Sequence, residues 1–288
     1  MRRRRFRIVA TGGIGDAILT TPSLRALKER YPDCRIVVYC VSYKQMEVFK
    51  NNPYIDRLRQ PRFPSSLMWR AVPGLRRSLL QSVEYGIFRP SLHNMGKATD
   101  LVAEMLGVRL RGKRPEIFLT EAEVFKARAL LSGYPRSVTL HISGSCSVNK
   151  NWPLENWERV VESNPELTFI QLGLVDEPLA PGAVDFRGMP LRETFAVIKQ
   201  SLCFVGIESG MAHAAAAFDT PGVVLFGPTS PLLWGHSGNI NVYSGIRCSP
   251  CIDILGPDPC PYQVMCMTQI SVAEVSRALK TQVSLART

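Results

Sequence analysis

Short apolar runs alternate with segments of helical spacing along most of the chain. Runs rich in β-branched residues predict strands over 7–11 and 35–41, and apolar residues three or four positions apart predict a helix over 16–30. Two strands joined by a helix in this way are typical of a βαβ unit with a buried parallel sheet. The first part of the chain is therefore predicted to be α/β.

The same alternation returns after residue 137. It predicts strands over 138–142, 167–172, 203–207 and 222–226, and helices over 154–162, 191–199, 210–218 and 271–283. Two further helices are predicted before residue 137, over 97–106 and 121–131. Alternating strands and helices in both halves predict two doubly wound domains, which we place at residues 1–132 and 133–288. Ligands of such domains bind at the carboxyl ends of the strands.

Basic residues are concentrated in the first of these domains. The 288 residues carry a net charge of +11, but residues 1–114 hold 23 Lys and Arg against 8 Asp and Glu, a net +15, and the remainder is −4. This asymmetry favours an anionic partner, such as a nucleic acid, a membrane surface or a phosphorylated molecule. Solvated charges without a specific partner are the ordinary alternative.

Apolar stretches in the sequence are shorter than the roughly 18–20 residues that a membrane-spanning helix requires. The arginines at 2–5 resemble the charged start of a signal peptide, but the apolar stretch behind them is short and leads into a glycine-rich turn. We therefore expect a cytoplasmic protein, whose basic domain allows peripheral contact with the inner face of the membrane.

A glycine-rich turn links the first predicted strand to the first helix, and it contains Gly13, Gly15 and Asp16. Glycines at this position let the backbone approach a ligand closely, and a helix N-terminus favours anionic groups. The turn is not a dinucleotide fingerprint, since that pattern requires glycine where Ile18 stands. The carboxylate of Asp16 is either a reactive group or a helix cap.

Two more loops follow predicted strands of the second domain. The first runs from Ser143 to Lys150 and includes Ser145, a pattern that suits phosphate binding through backbone N–H groups and one ammonium group. The second joins a strand to an alanine-rich helix, and its candidate ligand-binding residues are Glu208, Ser209, Gly210, Met211 and His213. A polar surface loop and a structural histidine are the alternatives. Asp176 and Glu177 also follow a strand, where acidic side chains bind ribose hydroxyls in other nucleotide sites.

Four of the eight cysteines lie close together in the sequence, within the segment 248–266. Cys248, Cys251, Cys260 and Cys266 follow the pattern C-x2-C-x8-C-x5-C. Four thiolates complete a tetrahedral zinc or iron site, so a structural metal is one interpretation and unligated reduced thiols are the other. Disulfides are not expected in a protein without a secretory signal.

Five segments, in this order, resemble glycosyltransferase family 9, the bacterial heptosyltransferases. They are GGIGDAILTTPSLRAL, KNWPLENW, RGMPLRE, FVGIESGMAHAAAA and LFGPTSP. The resemblance implies two Rossmann-like domains in the GT-B arrangement. It implies that Asp16 is the base that deprotonates the acceptor hydroxyl and that Lys150 contacts the donor diphosphate with Ser145 nearby. The residues from Glu208 to His213 then form the donor-binding loop, although relatives commonly carry Asp where this chain has Glu208.

The function implied by this resemblance is an inverting transfer of a sugar, with heptose from ADP-heptose as the expected donor. The expected acceptor is a hydroxyl group of an anionic molecule such as lipopolysaccharide core, or of a protein, and no metal cofactor is expected in the chemistry. A sugar-nucleotide epimerase of the same architecture is the alternative enzyme. A basic nucleic-acid-binding protein is the alternative of another class, but the basic part has no interleaved aromatic residues and no recognition motif.

Overall fold

The computed structural model describes residues 4–10, 12–60, 96–144, 147–251 and 260–286. The chain divides into two compact units, Met1–Phe118 and Leu119–Thr288. The division falls before the predicted boundary at 132, because the helix Glu121–Leu131 (α4) packs within the second unit. Glu123 of this helix accepts a hydrogen bond of 2.8 Å from Nη2 of the buried Arg192, and Arg192 lowers the pKa of Glu123 to about 2.

The first unit contains a parallel sheet in the order β1-β2-β3. Its elements are β1 (Arg5–Ala10), α1 (Ile14–Arg30), β2 (Arg35–Cys40), α2 (Tyr43–Phe49), β3 (Arg57–Arg59) and α3 (Ala98–Met105). Helix α1 continues through Pro22, which has no N–H to donate to the carbonyl group of Ile18. The hydroxyl group of Thr21 donates to that carbonyl group instead, at 2.7 Å, so the helix does not leave it unpaired.

One face of this sheet carries the basic residues. Parallel pairing aligns Arg5 with Arg35, and it aligns Val37 with both Arg7 and Arg57. Aligned residues of a parallel sheet share a face, and side chains alternate along each strand. The arginines on this face are Arg5, Arg7, Arg35, Arg57 and Arg59. All but the half-buried Arg35 are exposed. Part of the positive charge predicted for the first domain therefore lies on this one face of the sheet, which we call the arginine face.

The second unit contains a parallel sheet of six strands in the order β6-β5-β4-β7-β8-β9. The strands are β4 (Ser137–His141), β5 (Thr168–Gln171), β6 (Val184–Asp185), β7 (Cys203–Ile207), β8 (Gly222–Phe226) and β9 (Asn239–Tyr243). After α4, the helices are α5 (Leu154–Glu162), α6 (Leu191–Gln200), α7 (Gly210–Ala217), α8 (Pro231–Trp234), α9 (Met265–Thr268) and α10 (Val272–Leu285). Every residue of β4, β7 and β8 is buried, as expected for a sheet covered on both faces.

The order of the six strands reverses between β4 and β7. From β4 the chain proceeds outward through β5 and β6, then returns to β7 and proceeds through β8 and β9 on the other side. The carboxyl ends of the two strands at such a reversal bound a crevice in which ligands of doubly wound domains bind. The fold therefore places the loops after β4 and β7 at the expected ligand site. Within the described ranges, helices are too short or too polar to cross a bilayer.

Candidate functional site

The loops after β4 and β7 approach each other closely at the strand reversal. Gly206, in β7, has no side chain, and an added Cβ would lie 2.4 Å from the carbonyl oxygen of His141 in β4. Gly144, in the loop after β4, lies against the side chains of Ile207 and Lys150. These contacts bring the two predicted site loops together.

A buried ion pair links the two loops. Nζ of Lys150 lies 2.6 Å from Oε2 of Glu208, and their side chains are only 10% and 7% exposed. Burial alone would raise the pKa of Glu208, but the charge of Lys150 and the hydrogen bond from His213 outweigh it and hold this pKa well below its usual range. Glu208 is therefore a fixed anion that positions the ammonium group of Lys150, which has three N–H donors.

Two histidines extend this ion pair. Nε2 of His213, in α7, lies 3.5 Å from Oε1 of Glu208, and Nδ1 of His213 lies 2.8 Å from Nε2 of His236. His213 is 2% exposed. The sequence predicted Lys150, Glu208 and His213 as site residues but not His236, because a single histidine 23 positions further along belongs to no motif.

The N-terminus of α7 provides further polar groups beside this cluster. Gly210 is the first residue of the helix, Ser209 precedes it, and Met211 follows it and is buried. The backbone N–H groups of a first helical turn have no partner within the helix, and they favour anionic ligands. In the part of the chain that the structure describes, the buried hydroxyl group of Thr229, after β8, has no hydrogen-bond partner, so a ligand could supply one.

Ser209 contacts the imidazole ring of His141 at the end of β4, with Oγ and Nδ1 3.2 Å apart. Burial lowers the pKa of His141 to about 4 from its ordinary value of 6.5. His141 is therefore neutral at pH 7, and the strand ends carry no extra positive charge at this position.

His141 contributes to the pH dependence of stability. Between pH 6.5 and pH 4 the unfolded chain binds a proton at His141 that the folded protein does not, so the free energy of unfolding falls as the pH falls. Its contribution over this range is about 3 kcal/mol. We expect His141→Asn, which cannot titrate, to flatten this part of the curve in urea unfolding at a series of pH values. An unchanged slope would assign the pH dependence to other groups.

Asp16 lies in the first turn of α1, which begins two residues earlier than the sequence predicted. Gly13 is the N-cap, Gly15 is the second helical residue, and Oδ2 of Asp16 accepts a hydrogen bond of 2.7 Å from the N–H group of Gly13. Gln45 holds the same turn, since its Nε2 donates to the carbonyl oxygen of Gly12 at 2.9 Å. Asp16 therefore caps its own helix. Its side chain is half-buried, so capping leaves a catalytic role open.

The acidic residues predicted to contact a ribose lie in the loop after β5. Asp176 is exposed and Glu177 is half-buried. The carboxylate of Glu177 packs against Gly173, whose φ of +145° suits glycine. This loop follows a strand of the same sheet, and ribose contact stays a prediction. Ser145 lies outside the described residues.

The four clustered cysteines share one neighbourhood after β9. Burial and the nearby thiols of Cys251, Cys248 and Cys260 together raise the pKa of Cys266 to about 11. However, among the described residues, which include all four, no three Cys, His, Asp or Glu side chains are arranged to hold a metal ion. The four cysteines as they lie in this structure therefore do not form a complete set of metal ligands. A structural metal at this site stays a prediction.

Comparison with known proteins bears on the second unit most directly. The family model of glycosyltransferase family 9 (heptosyltransferase) matches residues 188–258, which include the predicted donor-binding loop. The resemblance to glycosyltransferase family 9 is confirmed. Lipopolysaccharide heptosyltransferase 1 of Pseudomonas aeruginosa is 31% identical over 144 residues, which cover 46% of this chain and 39% of that protein.

The corresponding enzyme of Salmonella typhimurium is 32% identical over 115 residues, which cover 36% of each chain. The matched regions thus span well under half the length of these two relatives.

Solved structures confirm the predicted fold class. A family 9 glycosyltransferase from Veillonella parvula has a TM-score of 0.73 at 18% identity, over 98% of both chains. The ADP-heptose lipopolysaccharide heptosyltransferase II of Escherichia coli has a TM-score of 0.65 at 13% identity, over 99% of this chain and 100% of that one. The iron-containing heptosyltransferase TibC, solved with ADP-D-β-D-heptose, has a TM-score of 0.70 at 19% identity, over 99% of this chain and 77% of that one. These likenesses show the fold, which consists of two Rossmann-like α/β domains.

Proposed function

We propose that this protein is an inverting glycosyltransferase that transfers a heptose from ADP-heptose to a hydroxyl group of an anionic acceptor. The observation that carries the proposal is the buried Lys150–Glu208 pair at the strand reversal of the second unit. Part of this site lies in the segment that matches heptosyltransferases. Two of the structural relatives are named for ADP-heptose or were solved with it.

The second unit would bind the donor through its diphosphate. Lys150 supplies a positive charge that Glu208 holds in place, and the N-terminus of α7 supplies backbone N–H groups beside it. Such groups stabilise negative charge without rearrangement during the reaction. They would therefore favour departure of the nucleoside diphosphate. The hydroxyl group of Thr229, which has no hydrogen-bond partner within the described residues, would donate a hydrogen bond to the sugar nucleotide. Asp176 or Glu177 would contact its ribose.

Asp16 would act as the base in the proposed transfer. It removes the proton of the acceptor hydroxyl group as the oxygen attacks the anomeric carbon. The new carbon–oxygen bond forms as the bond to the diphosphate breaks, so the configuration at that carbon inverts. The N–H group of Gly13 donates a hydrogen bond to this carboxylate and holds it in one orientation.

The proposed acceptor is anionic because the first unit presents the arginine face of β1, β2 and β3. Arginine binds phosphate and carboxylate groups through paired N–H donors. A phosphorylated lipopolysaccharide core is the acceptor that best suits this charge and the two heptosyltransferase relatives. A protein acceptor and contact with the cytoplasmic membrane surface are further parts of the proposal. Metal analysis of freshly purified protein would test a structural zinc or iron ion at the cysteines.

The proposed function is tested by incubation with ADP-heptose in the presence and absence of a phosphorylated lipopolysaccharide core. We expect ADP and a glycosylated acceptor of inverted configuration only when both substrates are present, measured by proton NMR. A new epimer of the sugar nucleotide without acceptor would indicate an epimerase instead. A gel shift with DNA or RNA that persists at physiological salt would support the nucleic-acid-binding alternative.

A further inference from the structure

The contact between His213 and His236 constrains where their protons lie. Nδ1 of His213 and Nε2 of His236 are 2.8 Å apart, so one nitrogen must donate and the other must accept. The other nitrogen of His213, Nε2, faces Oε1 of Glu208 at 3.5 Å. An ionised carboxylate can only accept, so this nitrogen must carry the proton to make a favourable contact.

At 3.5 Å the carboxylate favours this tautomer without enforcing it, so the shorter contact of Nδ1 with His236, at 2.8 Å, can decide the tautomer. When Nε2 of a neutral His213 is protonated, its Nδ1 bears a lone pair and must accept from His236. Nε2–H of His236 then donates to His213, and Nε2–H of His213 donates to Glu208. An imidazolium at His213 would instead donate from both ring nitrogens, and the measurement of the ring protons described below distinguishes it from the neutral tautomer.

We propose that His236 is a positioning residue: it selects the His213 tautomer that holds Glu208, and through Glu208 it orients Lys150. His236 is half-buried in the short loop after α8, and it contacts the ring of His213, which in turn faces Glu208. The role of this series in ligand binding rests on the proposed function, whereas the tautomer of His213 does not. The two can therefore be measured separately.

The first experiment determines the tautomer of His213 in the protein without ligand. Nitrogen-15 NMR distinguishes protonated from unprotonated ring nitrogens, and the His213 signals are identified by their loss in His213→Gln. We expect protonated Nε2 and unprotonated Nδ1 at neutral pH, and a mixture of tautomers in His236→Phe. A protonated Nδ1 in the wild-type protein, or an unchanged tautomer in His236→Phe, would overturn the proposal.

The second experiment measures the affinity for ADP by calorimetry. His236→Phe keeps an aromatic ring but no donor, and we expect it to weaken binding about 3- to 10-fold, the loss of one net hydrogen bond. His236→Gln places an N–H donor near the lost Nε2 and should restore most of the affinity. Ser237→Ala, at the exposed neighbouring position, controls for disturbance of the loop and should bind as the wild type does.

The outcomes separate the two proposals. Equal ADP affinity in the wild type and in His236→Phe would overturn the positioning role. A loss in His236→Phe that His236→Gln does not restore would also overturn it, because the ring and not the hydrogen bond would then matter. If the wild-type protein binds no ADP, the proposed function fails, and the tautomer measurement alone decides whether His236 orients His213.

Discussion

Replacement of Lys150 by methionine should lower the free energy of unfolding by about 3–5 kcal/mol, because it leaves the carboxylate of Glu208 buried without its cationic partner. The two side chains are 10% and 7% exposed, and their charged atoms lie 2.6 Å apart. The same change should weaken binding of ADP roughly 30-fold or more, since the ammonium group would no longer meet the diphosphate. Urea unfolding and calorimetry measure the two effects.

A surface pair provides the matched control. Lys126 and Glu193 lie 2.7 Å apart, but their side chains are 59% and 28% exposed. Lys126→Met should therefore change stability by no more than about 1 kcal/mol and should leave ADP binding unchanged. Similar losses of stability in the two methionine variants would contradict the claim that burial makes the loss of Lys150 costly.

The double variant Lys150→Met with Glu208→Gln separates stability from binding. Neither side chain is charged, so the penalty for an unpaired buried carboxylate disappears and most of the stability should return. Affinity for ADP should stay low, because the positive charge is still absent. Recovery of binding in the double variant would show that Lys150 acts only through the structure.

The second large effect is expected at Asp16. Asp16→Asn should reduce the rate of sugar transfer by about 10²–10⁴-fold, because the amide cannot accept the proton of the acceptor hydroxyl group. The amide oxygen can still accept the hydrogen bond from Gly13. Stability should therefore fall by less than about 1 kcal/mol, and ADP affinity should be unchanged. Initial rates at saturating donor, together with urea unfolding, test this prediction.

Glu274 provides the control for a charge in a first helical turn. It is exposed in the first turn of α10, where Ser271 is the N-cap. Glu274→Gln removes a negative charge from an equivalent position without touching the proposed site, and transfer should continue at the wild-type rate. If Asp16→Asn retained full activity while its stability fell, Asp16 would have a capping role alone.

Much of the fold could be predicted because its strands and helices have strong local signals. The fully apolar strand Cys203–Ile207 and the alanine-rich helix Gly210–Ala217 were both expected from periodicity. The two-residue strand Val184–Asp185 and the half-polar strand Asn239–Tyr243 were not predicted. These strands form through pairing with neighbours distant in sequence, which a local pattern does not reveal.

The candidate site was predictable where a motif joins a strand to a helix. Glu208 and His213 lie on the two sides of such a junction, and they do approach each other. The ion pair with Lys150 joins residues 58 positions apart, and only the adjacency of β4 and β7 brings them together. His236 lies in a loop without periodicity, so its contact with His213 follows from the tertiary fold alone.

The capping role of Asp16 shows a different limit. Both interpretations of Asp16 were available from the sequence, and they require the same residue type at the same position. The structure shows a hydrogen bond from the N–H group of Gly13 to Asp16, which orients the carboxylate but is equally compatible with a base. Only a variant that keeps the acceptor and removes the basicity can separate the two roles.

The central claim is that the second unit binds the diphosphate of a sugar nucleotide at Lys150, and calorimetric titration of the wild-type protein with ADP-heptose tests it most directly. The account predicts saturable binding of one molecule per chain that is lost in Lys150→Met and retained in Lys126→Met. The absence of binding in the wild-type protein, or equal affinity in Lys150→Met, would contradict the account.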